Sequence, residues 1–119
     1  MGGWPGNGRS TRRWKKDVMM LAVDLGSTSF KAGLFDDRLR CLRTGEAEVP
    51  YRRSASGIVE FTVADGEACF RRCIEAALAA ACTARDDLRA VAITSQAQTF
   101  TVVDSTRRAV IPFISWLDS

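Results

Sequence analysis

The hydrophobic and polar residues in the first half of the chain are arranged in patterns typical of β-strands. Residues 18–23 form an almost unbroken apolar run that stops at Asp24, which indicates a strand covered on both faces. Alternation over residues 30–35 predicts a second strand, and residues 39–49 predict a third that is antiparallel to the second. Together these segments predict a three-strand antiparallel meander.

From Asp65 onward the apolar residues recur at helical spacing. This pattern predicts an amphipathic helix from Asp65 to about residue 84, with Asp65 as its N-cap. Residues 90–96 predict a buried fourth strand, and residues 101–112 predict a hairpin. Because a helix crosses over between them, we expect the fourth strand to be parallel to the first.

This order of elements is that of a ribonuclease H-like α/β domain. It predicts a mixed sheet containing the three-strand antiparallel meander, one long helix and then further strands. Asp24, Ser95 and Gln96 then reach the same edge of the sheet, where open α/β sheets bind ligands. The last helix and strand of such a domain have no counterpart here. We therefore expect an incomplete domain with an unpaired sheet edge and an uncovered face.

The composition is that of a globular domain with a basic tail. Of 119 residues, 46% are hydrophobic and 26% are charged, which excludes a disordered chain. The whole chain has a net charge of +3. Residues 1–17 carry +4, so residues 18–119 carry −1. We predict a disordered tail over residues 1–17 and one partial domain over residues 18–119. An arm that binds nucleic acid or an anionic membrane is the alternative for the tail, but short charge runs are usually solvated, so we expect neither partner. A natural start at Met19 or Met20 is a further possibility.

The apolar and cysteine patterns favour a cytoplasmic protein. The apolar run before Asp24 is shorter than the hydrophobic region of a secretory signal, and no stretch is long enough to cross a membrane. The cysteines lack the spacing of a metal site, and the chain has no histidine. We interpret all four as reduced thiols: Cys41, Cys69, Cys73 and Cys82.

The turn after the first strand has the chemistry of a phosphate site. Gly26 allows a ligand to approach the backbone closely, and the hydroxyl residues after it offer side-chain and backbone donors. A carboxylate repels a phosphate unless a cation separates them, so Asp24 predicts magnesium, bound through oxygen or water. An ordinary hairpin turn is the alternative, because these residue types are common in turns. The predicted phosphate-binding residues are Asp24, Gly26, Ser27, Thr28, Ser29 and Lys31.

The run D-L-G-S-T-S-F-K-A, from Asp24 to Ala32, resembles the first phosphate-binding hairpin of the superfamily of sugar kinases, heat-shock chaperones and actin. Its form is similar to that of the FGGY carbohydrate kinases, the family of xylulokinase, gluconokinase and glycerol kinase. A later segment resembles the family's G-x-[VA]-E-x-D-P: Glu60 matches, and Thr62 and Val63 replace Asp-Pro. We expect this segment to border the sugar site, to form an edge strand or to lead into the helix.

Two further segments resemble the family in the same order. Gln96 matches the glutamine of a Gly-Gln or Asn-Gln pair. Ala97 and Gln98 follow it, where xylulokinases have Met-His and glycerol kinases Arg-Glu, so the particular sugar stays open. A polar turn between strands is the alternative for Gln96 and Gln98. The last segment matches P-x-I-x-W-x-D through Pro112, Ile114, Trp116 and Asp118.

The resemblance implies ATP-dependent transfer of a phosphoryl group to a sugar or polyol hydroxyl. It implies that Asp24 holds magnesium through water and that Lys31 adds positive charge near the turn. The implied substrate-binding residues are Gln96, Gln98, Trp116 and Asp118. Trp116 offers an apolar face to the sugar, and the other three offer hydrogen-bonding groups. The oligomeric state stays open.

The family's general-base aspartate, second phosphate loop and adenosine site have no match in this chain. We therefore expect an N-terminal fragment of a carbohydrate kinase that is inactive alone and contains no catalytic residue. A non-catalytic nucleotide- or sugar-binding module of the same fold is the main alternative. A two-metal nuclease of ribonuclease H-like fold is disfavoured, because Ser95 and Gln96 stand where it needs a second carboxylate.

Overall fold

A computed structural model describes residues 19–81 and 87–117. The predicted tail over residues 1–17, Cys82 and Asp118 lie outside these ranges. The elements, in chain order, are strands β1 (Met19–Leu25), β2 (Ser29–Phe35), β3 (Cys41–Glu48), β4 (Arg52–Arg53) and β5 (Val59–Phe61), helix α1 (Val63–Ala81), and strands β6 (Leu88–Ser95) and β7 (Phe113–Ile114).

The main sheet has four strands in the order β3-β2-β1-β6. The pairs β1–β2 and β2–β3 are antiparallel, and β6 is parallel to β1. The predicted meander, the crossover and the mixed α/β sheet are therefore confirmed. The register pairs Asp24 with Thr94 and Leu25 with Ser95, so β1 and β6 end at the same edge.

Helix α1 packs on one face of the sheet, across β2 and β3. Cys69, Cys73 and Ala77 on this helix are fully buried. The helix approaches β3 closely at Gly45, where an added Cβ would lie 2.6 Å from the backbone nitrogen of Ala77 and would also overlap the carbonyl of Cys73. The described cysteines, Cys41, Cys69 and Cys73, are free thiols, as predicted. None of the helices within residues 19–81 and 87–117 is long and apolar enough to span a membrane.

The helix starts two residues earlier than predicted. Thr62 is the N-cap: its Oγ1 accepts a hydrogen bond from the Asp65 amide at 3.0 Å and donates one to Asp65 Oδ2 at 2.7 Å. The prediction that Asp65 is the N-cap was therefore wrong. Asp65 lies in the first turn of the helix, and its carboxylate accepts a hydrogen bond from the hydroxyl of the N-cap residue. Thr62 and Val63 thus occupy the N-cap and first helical positions, to which Asp and Pro are also suited.

A second, three-stranded sheet in the order β4-β5-β7 was not predicted. Its middle strand, β5, contains Glu60, which places that segment in a strand leading into α1 rather than in a loop. The predicted hairpin over residues 101–112 is present but without regular strands: Val103 and Ala109 form a β-bridge, the Val110 amide donates to the Val102 carbonyl at 2.9 Å, and the Asp104 amide donates to the Arg108 carbonyl at 2.9 Å.

Strand β6 is exposed rather than buried, which corrects the prediction. Val91 and Ile93 are 55% and 60% exposed, although they pair in register with the buried residues Leu21 and Val23. The reason is the position of α1, which lies over β2 and β3. Within the described residues β6 is one of the two edge strands of the main sheet, and its helix-side face is largely uncovered.

Candidate functional site

The turn between β1 and β2 (residues 26–28) is tight. A Cβ on Gly26 would lie 2.8 Å from the carbonyl oxygen of Ser29, so a larger residue would force this turn to move. Asp24 precedes the turn and is partly buried, whereas Thr28 is exposed. Asp24 pairs in register with Lys31, and this pairing places the two charged side chains on the same face of the sheet.

Two of the predicted phosphate-binding side chains are engaged by Glu46, a residue that sequence reasoning missed. Lys31 pairs in register with Glu46, and its Nζ lies 3.8 Å from Glu46 Oε1. Ser29 belongs to β2, is 6% exposed and donates from its Oγ to the same oxygen at 2.5 Å. The hydroxyls that remain within the turn itself are those of Ser27 and Thr28.

The end of β6 is joined to this turn through Gln96. Its backbone amide donates to the Leu25 carbonyl at 3.0 Å, and its Nε2 donates to the Gly26 carbonyl at 3.1 Å. Its Oε1 accepts a hydrogen bond from Trp116 Nε1 at 3.0 Å. The structure thus brings together three of the predicted site residues, Gly26, Gln96 and Trp116, from widely separated parts of the sequence.

The second sheet positions Trp116. The amide of the preceding residue, the buried Ser115, donates to the Val59 carbonyl at 3.0 Å, and Phe113 stacks on Phe61 with ring centroids 5.0 Å apart. Trp116 is 47% exposed, so a large part of its ring faces solvent. An exposed indole held at its base by a buried strand end is suited to stack on the C–H face of a ligand.

Tyr51 is a second site residue that sequence reasoning missed. Its ring packs edge-on against Phe61 with centroids 5.5 Å apart, and its hydroxyl lies 3.5 Å from Gln96 Nε2. The sequence signal was weak, because Tyr51 lies in a loop that shows neither helical nor strand periodicity.

Gln98 lies two residues beyond Gln96 and is exposed. Its φ is +59°, in the left-handed region that residues other than glycine adopt infrequently. Such backbone conformations concentrate at ligand sites. Asp118, the remaining predicted substrate residue, lies outside the described ranges.

A cavity of about 350 Å³ lies behind the site, between α1 and the carboxyl ends of β1 and β6. Its lining is mainly apolar and includes Leu25, Phe30, Phe61 and Phe70. Thr99 also lines it, and its Oγ1 is buried without a hydrogen-bond partner in the described part of the chain.

Asp24 and the turn hydroxyls form a sparse set of oxygen donors. No group of three metal-ligating side chains occurs among residues 19–81 and 87–117. A single carboxylate suits magnesium, which keeps several of its waters and takes phosphate oxygens as further ligands. The residues present therefore fit water-mediated magnesium.

Comparison with known proteins gives one consistent family. Residues 19–119 match the family model described as "FGGY family of carbohydrate kinases, N-terminal domain". A glycerol kinase from Agrobacterium fabrum is 36% identical over 100 residues, and the match covers 83% of this chain and 20% of that protein. A glycerol kinase from Paenarthrobacter aurescens is 36% identical over 101 residues, with 84% and 20% covered. The chain thus spans about a fifth of the length of these relatives.

Solved structures are similar over the same region. A xyloylose kinase from Brucella ovis superposes with a TM-score of 0.77 at 28% identity, covering 84% of this chain and 21% of that one. A gluconate kinase from Lactobacillus acidophilus superposes with a TM-score of 0.73 at 18% identity, covering 84% and 20%. At that identity the second likeness concerns the fold alone.

Proposed function

Because the chain belongs to the FGGY family of carbohydrate kinases, we propose that it supplies the first phosphate-binding turn and one wall of the sugar site to an ATP-dependent kinase of a sugar or polyol. The chain by itself binds ligands without turning them over, because the family's general base has no match in its sequence.

One observation carries this proposal: the side chain of Gln96 joins the β1–β2 turn to Trp116. Gln96 is hydrogen-bonded to the Gly26 carbonyl at 3.1 Å and to the Trp116 indole at 3.0 Å. A phosphate on the turn and a sugar on the indole are therefore neighbours. Phosphoryl transfer depends mainly on such positioning and on neutralisation of charge.

Each residue has a role that follows from its chemistry. The backbone amides and hydroxyls of residues 26–28 bind phosphate oxygens. Asp24 orients the water shell of magnesium, which neutralises phosphate charge when it is bound. Lys31 adds positive charge that Glu46 partly offsets. Trp116 stacks on the sugar, and Gln98 and Asp118 hydrogen-bond its hydroxyls.

A chimera tests the proposal directly. Residues 19–119 of this chain, which match the family model, replace the segment of the Agrobacterium fabrum glycerol kinase that aligns with them. We expect ATP-dependent phosphorylation of at least one of glycerol, xylulose and gluconate. The same chimera carrying Asp24→Asn should lose about 10²-fold in kcat, because the turn loses its only carboxylate for magnesium. A folded chimera that binds nucleotide but phosphorylates none of the three compounds would contradict the proposal.

The role of Gln98 is tested with glycine, which adopts its backbone conformation without strain. Gln98→Gly should raise KM for the sugar about tenfold while leaving KM for ATP unchanged, since one hydrogen-bonding group is lost. Arg107→Gly is the matched control, because Arg107 also has a left-handed φ, of +63°, in a different turn. If both variants raised the KM for the sugar equally, the cause would be the glycine backbone and not the lost side chain. That result would contradict a role of Gln98 in sugar binding.

A further inference from the structure

The hydrogen-bond capacity of Gln96 is nearly exhausted by protein groups. A primary amide has two N–H donors and an oxygen with two lone pairs. Nε2 directs its donors at the Gly26 carbonyl, 3.1 Å away, and at the Tyr51 hydroxyl, 3.5 Å away. Oε1 accepts from the Trp116 indole at 3.0 Å. One lone pair is left for a ligand.

The partners determine which way the amide points. An indole N–H only donates, so it requires the oxygen of Gln96, and a backbone carbonyl only accepts, so it requires the nitrogen. If the amide were flipped, its N–H₂ group would face the indole N–H of Trp116, and its oxygen would face the carbonyl oxygen of Gly26. Neither pair could form a hydrogen bond. Glutamate has the same shape but would set a carboxylate against the Gly26 carbonyl. The site is therefore matched to glutamine in particular.

The bond from Gln96 is an important restraint on the Trp116 ring. The backbone before the ring is anchored by Ser115, but Trp116 as a residue is 47% exposed, so packing confines its ring only in part. At the other end of the network, the Gly26 carbonyl belongs to the peptide that leads into Ser27. The orientation of that peptide also sets where the Ser27 amide points.

We infer that Gln96 is a positioning residue that couples the β1–β2 turn to the Trp116 ring, rather than primarily a ligand of the substrate. The inference rests on the proposed function only for the ligands at the two ends. Occupation of the turn changes the orientation of the Gly26 peptide. The Gln96 side chain moves with the Gly26 carbonyl to which it is bonded, and its oxygen then holds the indole in one orientation. By linkage, a ligand that orders the ring strengthens binding at the turn, and a ligand at the turn strengthens binding at the ring by the same factor.

The test uses the full chain in a Trp4→Phe, Trp14→Phe background, which leaves Trp116 as the only indole. Hydrogen exchange of the Trp116 indole N–H is measured by NMR without ligand. Gln96→Leu should speed this exchange on the order of fivefold, since the indole loses its acceptor. Arg89→Leu, the same kind of polar-to-leucine change at the other end of β6, should leave it unchanged. Unchanged exchange in folded Gln96→Leu would overturn the inference.

Two milder variants keep the test informative if leucine prevents folding. Gln96→Glu retains the acceptor for Trp116 but loses both donors, so the backbone amides of residues 26–28 should shift while indole exchange changes less. Tyr51→Phe removes only the weakest contact and keeps the ring on Phe61, so it should have the smallest effect. The reverse order of effects would contradict the inference.

Titration with inorganic phosphate separates this inference from the proposed function. Shifts of the amides of residues 26–28 report binding at the turn, and the indole resonance reports coupling. We expect both in the unsubstituted chain, and the amide shifts alone in Gln96→Leu. Amide shifts without an indole response in the unsubstituted chain would overturn coupling and leave the phosphate site intact. Absence of all shifts would count against the phosphate site, and the exchange experiment would then decide the role of Gln96.

Discussion

Buried polar groups of this domain differ widely in how well their hydrogen-bonding capacity is satisfied. Asp36 lies in the turn between β2 and β3 and is 6% exposed, which is unusual for a carboxylate. It accepts hydrogen bonds from the backbone amides of Arg38 and Arg40 and pairs with the Arg40 guanidinium at 2.6 Å. The Oγ1 atom of Thr99, by contrast, is buried and has no hydrogen-bond partner within the described residues.

Acid should weaken the fold through Asp36. Burial by itself would raise the pKa of this carboxyl, but the hydrogen bonds and charge from Arg40 and Arg38 outweigh it and hold the pKa below the usual 3.8. The carboxylate therefore stabilises the fold above pH 3.8, and this contribution is lost as the pH falls through the lower folded-state pKa. Asp36→Asn should lower the free energy of unfolding in urea at neutral pH, and its deficit should shrink as the pH falls below 4.

The matched control is Asp37→Asn, the exposed neighbour of Asp36. We expect this variant to retain the acid dependence of the unsubstituted chain. If the loss of unfolding free energy in Asp36→Asn stayed constant with pH, ionisation of Asp36 would be excluded as its cause.

Thr99→Val should stabilise the protein. Valine keeps the shape of threonine and removes the unpartnered hydroxyl, so the free energy of unfolding should rise by about 1 kcal/mol. Thr101→Val is the control, because Thr101 Oγ1 donates to the Ile111 carbonyl at 2.6 Å. That substitution should lower the free energy of unfolding by about 1 kcal/mol. Urea denaturation of both variants measures whether the free energy of unfolding changes in opposite directions.

At the scale of elements, the packing of α1 on the sheet depends on the absence of a side chain at Gly45. The added methyl of alanine would meet the helix backbone at Cys73 and Ala77. Backbone atoms within a helix move only with the helix, so the cost cannot be relieved by a rotamer change. This explains why the helix lies over β2 and β3 with three small, fully buried residues facing them.

Gly45→Ala should therefore lower the free energy of unfolding by about 3 kcal/mol, through displacement of α1. Gly57→Ala is the control: its φ is +89°, but an added Cβ there would meet no atom within 4 Å. Its cost should be confined to backbone strain of about 1 kcal/mol. Similar costs for the two variants, measured by urea denaturation, would exclude close helix packing as the reason for Gly45.

At the scale of the whole molecule, the apolar surface is distributed unevenly. Helix α1 covers the part of the sheet formed by β2 and β3, whereas Val91 and Ile93 on β6 are more than half exposed. Within the described residues, the outer edge of β6 also has no partner strand. Exposed apolar strands at a sheet edge favour association with another strand or another copy.

We expect the isolated chain to self-associate through β6. Ile93→Lys should weaken this association about tenfold or more, because an apolar side chain is replaced by a charge on the contacting face. Thr94→Lys is the control, since Thr94 lies on the same strand and points to the opposite face. Sedimentation velocity over a range of concentrations measures both. A chain that stays monomeric at all concentrations would contradict this expectation.

The sequence alone determined the elements that depend on neighbouring residues. The apolar run of residues 18–23, the alternation after it and the helical spacing after Asp65 identified the meander and the helix. The D-L-G-S-T-S-F-K-A run, together with the later segments around Gln96 and Trp116, indicated the family. The boundary of α1 was wrong by two residues because Thr62 and Asp65 are both good capping residues, and geometry selects between them.

Only the tertiary structure decided which groups meet across the chain. Gln96 and Gly26 are separated by 70 positions, and Ser29 and Glu46 by 17. No local period carries such pairings, because they follow from strand register and from where α1 lies. The same reason accounts for the exposure of β6: its residues are as apolar as those of a buried strand, and burial depends on which neighbour covers them.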